Sequence, residues 1–178
     1  MTAVEGMKRN PADRDTSRLQ VEMQFAARAP WVPSAAALRR GARAAYARAG
    51  QVHGDSPAAG MCVRIVGLTA GRSMNRRFRG IDKPTNVLSF PASDEERDLL
   101  GAIGDLVICA PVVAREARKQ NKKMAAHWAH MVVHGVLHLL GHDHQNDRQA
   151  RAMERLEVEI LRGFGYQNPY VPVCDPTA

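Results

Sequence analysis

The sequence predicts an α+β (mixed α/β) fold. It expects a single domain, with a small sheet of about four strands packed with four to five helices and a three-histidine metal site at a helix C-terminus. Three observations lead there. Short apolar runs of strand length alternate with longer runs of helical periodicity. The chain has 178 residues, 45% of them hydrophobic, which suffices for one domain with a core and argues against a disordered chain. Residues 134–144 read HGVLHLLGHDH, a histidine run interrupted by a glycine that suits a helix end.

The elements follow in order. Residues 1–18 are polar and charged and read as a disordered extension, with Met7 a possible alternative start, ahead of a domain over 19–165. LQVEMQFAA (19–27) alternates as a strand does. APWVPS is a turn, and Ser34 is placed to cap an alanine-rich helix ending near Gly50. QVHGDSPAAG is a loop, and MCVRIVG (61–67) is a second strand. Thr69 could cap a short helix reaching about Phe78. RGIDKPTN (79–86) is expected as a loop because Gly80 and Pro84 break regular structure. VLSFP is a brief strand, SDEERDLL a solvated acidic loop, and IGDLVIC (103–109) a buried strand. Pro111 suits the first turn of a helix to about Gln120. A longer helix spans 124–140 with Gly141 at its end, and an amphipathic helix runs from Asp147 to Leu161. Residues 166–178 are expected to be an irregular, proline-rich tail.

Charge and composition narrow the function. The net charge is +7 with a pI near 9.8, a surface that suits polyanions such as nucleic acid, although a basic protein need have no such partner. Cys62, Cys109 and Cys174 lie far apart, with no C-x-x-C spacing, which argues against a disulfide framework and for a reducing compartment. The longest stretch without Asp, Glu, Lys or Arg, Met124 to His142, carries five histidines and reads as a buried helix rather than a membrane span. A cytoplasmic protein with no membrane partner is expected.

The histidines carry the chemistry. His134 and His138 are four apart, so a helix puts both rings on one face, one turn apart. Gly141 lets the chain turn back so that His144 supplies a third ligand. Three histidines with an open fourth position suit a catalytic zinc, one ion per chain, and water bound there has a pKa of roughly 7. Buried histidines that merely pack are the alternative. His130, one turn earlier, could support a ligand, touch substrate or pack in the core, and His127 suits surface or core. His142 has no assigned direction, and Asp143 suits loop structure or orientation of a ligand. Zinc peptidases of the metzincin type carry H-E-x-x-H-x-x-G-x-x-H, with the glutamate as general base. Gly135 stands at that glutamate here, which makes peptide hydrolysis a poor expectation.

HGVLHLLGHDH resembles the H-G-x-L-H-L-x-G-Y-D-H signature of the YbeY family of metal-dependent endoribonucleases, with His142 in place of the usual tyrosine. MNRRFRGIDKPTNVLSFP (74–91) and IGDLVIC resemble the family's other two blocks, in the same order. The resemblance covers roughly residues 20–165. It implies zinc on His134, His138 and His144 and a functional role for Arg79. It implies cleavage of single-stranded RNA in maturation of the 16S rRNA 3′ end and in ribosome quality control. It also implies small-subunit ribosomal proteins and an assembly GTPase as partners. A guanidinium at Arg79 would grip a phosphate with its planar fork and stabilise the charge that develops during cleavage. Arg72, Arg76 and Arg77 suit a solvated basic face, with some phosphate contact. Arg115, Arg118, Lys119, Lys122 and Lys123 would form a basic strip on a helix, useful for an RNA backbone and equally at home as a solvated face. Two other functions share these features. One is a zinc hydrolase of another substrate, such as a peptide. The other is a non-catalytic RNA-binding assembly factor that uses zinc for stability.

Overall fold

A computed structural model describes residues 19–49, 59–144 and 146–171. The expected extension over 1–18, most of the 51–60 loop and the tail from 172, with Cys174, lie outside the described residues. The elements run β1 (Gln20–Phe25), α1 (Ala35–Ala49), β2 (Gly60–Val66), α2 (Leu68–Arg79), β3 (Val87–Pro91), α3 (Asp94–Leu100), β4 (Ala102–Cys109), α4 (Ala110–Lys119), α5 (Met124–Leu139) and α6 (Asp147–Gly163). The four strands form one sheet in the order β1-β2-β4-β3. β1, β2 and β4 are parallel, and β3 runs antiparallel along β4 as an edge.

Alternation within the strands explains the layering. Met61, Val63 and Ile65 of β2 and Leu106 and Ile108 of β4 point into the main core with α1, α5 and α6. Val66, Val107 and Cys109 point the other way, into a smaller cluster with Met74 of α2 and Val112 of α4. From Leu106 to Cys109 β4 is buried on both faces, as that apolar run requires, while Asp105 before it is exposed. α5 is the central helix: Trp128, Val132, Val133, Val136 and Leu137 are fully buried.

Several local expectations change. There are six helices among the described residues rather than four or five. The acidic segment SDEERDLL is helical: Ser93 accepts from the Glu96 N–H while Glu96 accepts from the Ser93 N–H, a reciprocal cap. The acidic first turn of α3 is further favoured by the helix dipole. Helix α2 starts at Leu68 behind Gly67, which gives no side-chain cap, so Thr69 lies inside the helix. It continues through Arg79 and ends at Gly80 with φ 71°, so Arg79 is the last helical residue rather than part of a loop.

Candidate metal centre

Helix α5 carries His127, His130, His134 and His138 at spacings of three or four, hence on one face. The opposite face is pinned in the core, which leaves the rings no freedom to rotate away. Gly135 lies on the packed side. A Cβ there would run into the Leu106 side chain of β4. The absent side chain lets helix and sheet touch, and the Gly135 carbonyl accepts from Ser89 Oγ of β3 at 3.2 Å. A glutamate at 135 would be driven into the core.

Glu157 of α6 stands behind the histidines with no solvent exposure. Its Oε1 lies 2.7 Å from His134 Nδ1, and its Oε2 lies 3.1 Å from His130 Nε2. Tyr170, beyond α6, also donates its hydroxyl to Oε2. Burial pushes the Glu157 carboxyl up, but the hydrogen bonds from His130, His134 and Tyr170 and the charge of His130 outweigh it and hold its pKa down at about 2. Burial and the Glu157 carboxylate raise the Tyr170 phenol well above its ordinary value. Because an ionised carboxylate only accepts, His134 carries its proton on Nδ1 and turns a bare Nε2 outward.

That Nε2 faces His138 Nε2 at 3.1 Å. The end of α5 then delivers His144. Gly141, at φ 84°, donates to the His138 carbonyl, and the His142 N–H donates to the Leu137 carbonyl, closing the helix by a Schellman turn. Asp143 Oδ1 accepts from the His144 N–H at 2.7 Å, so Asp143 shapes the loop. The ring centroids of His134, His138 and His144 lie 4.6, 5.0 and 5.9 Å apart. Three imidazoles on one tetrahedral ion, with bonds near 2.0–2.1 Å, require nitrogens about 3.3 Å and centroids about 5 Å apart. The His134–His138 nitrogens and the His134–His138 and His138–His144 centroids lie close to these values, and the His134–His144 centroids lie wider. Among the described residues, metal-competent atoms within 4.8 Å of one another form the groups His130, His134 and Glu157, and His138, Asp143 and His144, which divide the three expected ligands; the His134–His138 contact joins the two groups. Burial, followed by the neighbouring charges of His134 and His144, lowers the pKa of His138, which favours the neutral ring a cation needs.

The remaining candidates are spread around this face. His127 is buried, and its Nε2 lies 3.2 Å from Glu116 Oε2 of α4. Glu116 also accepts from Asn86 Nδ2 at 3.1 Å, which ties the segment before β3 to α4 and α5. Arg79 is exposed and, among the described residues, has no hydrogen-bond or ion-pair partner. Its neighbour Phe78 packs edge-on to Phe90 of β3, with centroids 4.9 Å apart, and β3 in turn rests on α5. Arg72 is not a free cation, because it grips Asp82 with two hydrogen bonds of 2.8 and 2.6 Å. Arg76 and Arg77 are exposed on α2, with the Arg77 guanidinium 5.2 Å from the Phe78 ring centroid. The expected basic strip is split. α4 ends at Lys119, Lys122 and Lys123 lie in the turn before α5, and the Arg118 guanidinium sits 5.6 Å from the Trp31 ring centroid.

Glu157 and Tyr170 are absent from the sequence-based candidates. Glu157 had a signal: it falls with Met153, Ile160 and Leu161 in the buried stripe of α6, where a carboxylate needs a partner. Tyr170 had none, since no regular element surrounds it.

Residues 32–165 match the family described as Endoribonuclease YbeY. The chain is 51% identical over 164 residues to the Endoribonuclease YbeY of Alkalilimnicola ehrlichii, covering 89% of this chain and 95% of that protein. It is 47% identical over 161 residues to that of Stenotrophomonas maltophilia, covering 88% and 96%. The solution structure of a protein from Thermotoga maritima shares the fold, with a TM-score of 0.56 at 23% identity, covering 89% of this chain and 99% of that one.

Proposed function

Because the chain belongs to the Endoribonuclease YbeY family, we propose that it is a zinc-dependent, single-strand-specific endoribonuclease of 16S rRNA 3′-end maturation and ribosome quality control. The observation that carries the metal half of this reading is the convergence of His134, His138 and His144 at the spacing of a tetrahedral ion, with Glu157 behind His134.

In this reading His134, His138 and His144 hold the ion. Glu157 keeps His134 in the tautomer whose Nε2 is free to bind and fixes the plane of its ring. An ion held there supplies Lewis-acid and water-activating chemistry for cleavage of a phosphodiester. The side chains arrange the rest. Arg79, a cation among the described residues without a partner, grips the phosphate and neutralises the charge that builds on its oxygens. Arg76 and Arg77 on the same helix, and Arg118, Lys119, Lys122 and Lys123 around α4, hold the backbone of the RNA. Peptide hydrolysis lacks its base, and Gly135 has no room for one.

No helix among the described residues is long and apolar enough to cross a membrane. A cytoplasmic site of action with small-subunit proteins and an assembly GTPase belongs to the same proposal.

The test is cleavage of a single-stranded RNA by zinc-loaded protein, run beside chelated protein, His138→Ala and Arg79→Ala. Loss in all three supports the reading. Cleavage that survives all three sinks it, and RNA binding without any cleavage would favour the non-catalytic assembly factor.

A further inference from the structure

The histidine face of α5 continues past the metal centre. Toward the helix N-terminus it borders a cavity of about 430 Å³, enclosed by the α4–α5 turn on one side and by the segment after α6 on the other. His127 and His130 form part of its wall, Lys122 and Lys123 stand at the turn, and Tyr166 and Asn168 come from the segment after α6.

Two features mark the cavity as built for a ligand. His127 and His130 are 3% and 8% exposed, and the Nδ1 of each has no partner among the described residues. Their other nitrogens are committed to Glu116 and Glu157, so each ring is left with one unpaired nitrogen. Buried polar atoms are normally paired, and these two belong to side chains that line one cavity, where a ligand can supply the missing partner. The second feature is charge. Two lysines beside a cavity whose wall combines imidazole, phenol and amide groups with the apolar Leu161, Pro169 and Val171 repel a cation and suit a phosphate joined to a flat ring.

Position narrows the choice. His130 and His127 lie one and two turns from His134, about 6 and 10 Å along the helix. His130 also shares the Glu157 carboxylate with His134. We propose that this cavity holds one nucleotide of single-stranded RNA next to the scissile phosphate, with Lys122 and Lys123 on its phosphate and its base against His127, His130 and Tyr166. The inference rests on the ribonuclease reading. A base must leave its stack to enter such a cavity, which gives a physical source for single-strand preference.

The full-length zinc-loaded protein is the material for the test. Ala126, which lines the cavity, is replaced by Phe to fill it, and Lys122 and Lys123 are replaced by Ala in a second variant. Expected for the lysine variant is a higher KM for a single-stranded RNA with kcat nearly unchanged, and a salt slope shallower by about 0.7 for each phosphate that the protein no longer neutralises. Expected for Ala126→Phe is loss of AMP binding, read as NMR shifts at His127 and His130, with zinc affinity unchanged. The idea is overturned if either folded variant keeps the wild-type KM and salt slope, or if AMP moves neither histidine in the wild type. If the wild type cleaves no RNA, the ribonuclease reading fails by itself. The AMP titration, compared with Ala126→Phe, then decides the cavity separately. Should the filled variant misfold, AMP titration of the lysine variant carries the test: weaker AMP shifts at His127 and His130 support the cavity, and shifts of wild-type size overturn it.

Discussion

Replacing Glu157 by Gln probes the metal centre without touching a ligand. The carboxylate is fully buried and accepts from His134 on one oxygen and from His130 and Tyr170 on the other. An amide of the same shape has one acceptor oxygen and one NH2. Whichever way it turns, at least one donor then faces another donor. Losing one charge-assisted hydrogen bond costs about 1.5–3 kcal/mol. Partners that orient a ligand typically contribute 10- to 100-fold in metal affinity, or about 1.4–2.7 kcal/mol. Zinc affinity, measured by competition with a chromophoric chelator, is therefore expected to fall by about 10- to 100-fold. The acid limb of stability gives a second readout. The folded pKa near 2 lies below the ordinary 4.5, so Glu157 stabilises the metal-free protein above pH 4.5, and that contribution is lost as pH falls from 4.5 toward 2. The gap corresponds to about 3 kcal/mol. Chelated wild type should lose this stability across that window, and Glu157→Gln should not. Zinc affinity within threefold of wild type, together with superimposable acid limbs, would refute the role assigned to Glu157.

Four other outcomes are expected. Gly135→Ala should destabilise the fold despite alanine's better helix propensity. Overpacking against the buried Leu106 costs about 2–3 kcal/mol at this contact, while the propensity gain is about 1 kcal/mol. Thermal melting should show a net loss of about 1–2 kcal/mol, a drop of roughly 2–8 °C; an unchanged or higher Tm would contradict the packing at Leu106. Gly135→Glu should produce no peptidase activity on a fluorogenic peptide, and appreciable turnover would overturn the packing argument. Arg79→Lys should recover only a small part of the cleavage lost in Arg79→Ala, because an ammonium lacks the planar fork; full recovery in a kcat assay would reduce Arg79 to a point charge. His138→Ala should abolish stoichiometric zinc binding, measured by metal analysis after dialysis, while the secondary structure seen by circular dichroism is retained. Retention of one zinc per chain would show that His130, His134 and Glu157 hold the ion instead.

Much of the site is legible in the sequence because its geometry is local. His134 and His138 are one turn apart on one helix, and Gly141 ends that helix three residues before His144. The 3.6-residue period and the turn chemistry of glycine are enough to bring those rings together. The reciprocal Ser93–Glu96 cap is equally local; there the acidic composition suggests a solvated loop, and the cap overrides it. The sheet follows from apolar runs, but its order β1-β2-β4-β3, with β3 turned antiparallel, does not, since an apolar pattern gives a strand's faces and not its neighbours. Glu157 is the clearest case of what only the tertiary structure decided. The period of α6 puts it on the buried face, yet nothing in that period says that the face meets His130 and His134, twenty-seven and twenty-three residues away in the chain. The same holds for Glu116 under His127, and for Gly135, whose missing side chain is a matter of how close Leu106 comes. Short-range backbone preferences set which side chains share a face. Which faces meet is set by the burial of the whole core, and a buried carboxylate, an imidazole tautomer or a helix–sheet contact takes its meaning only from that meeting.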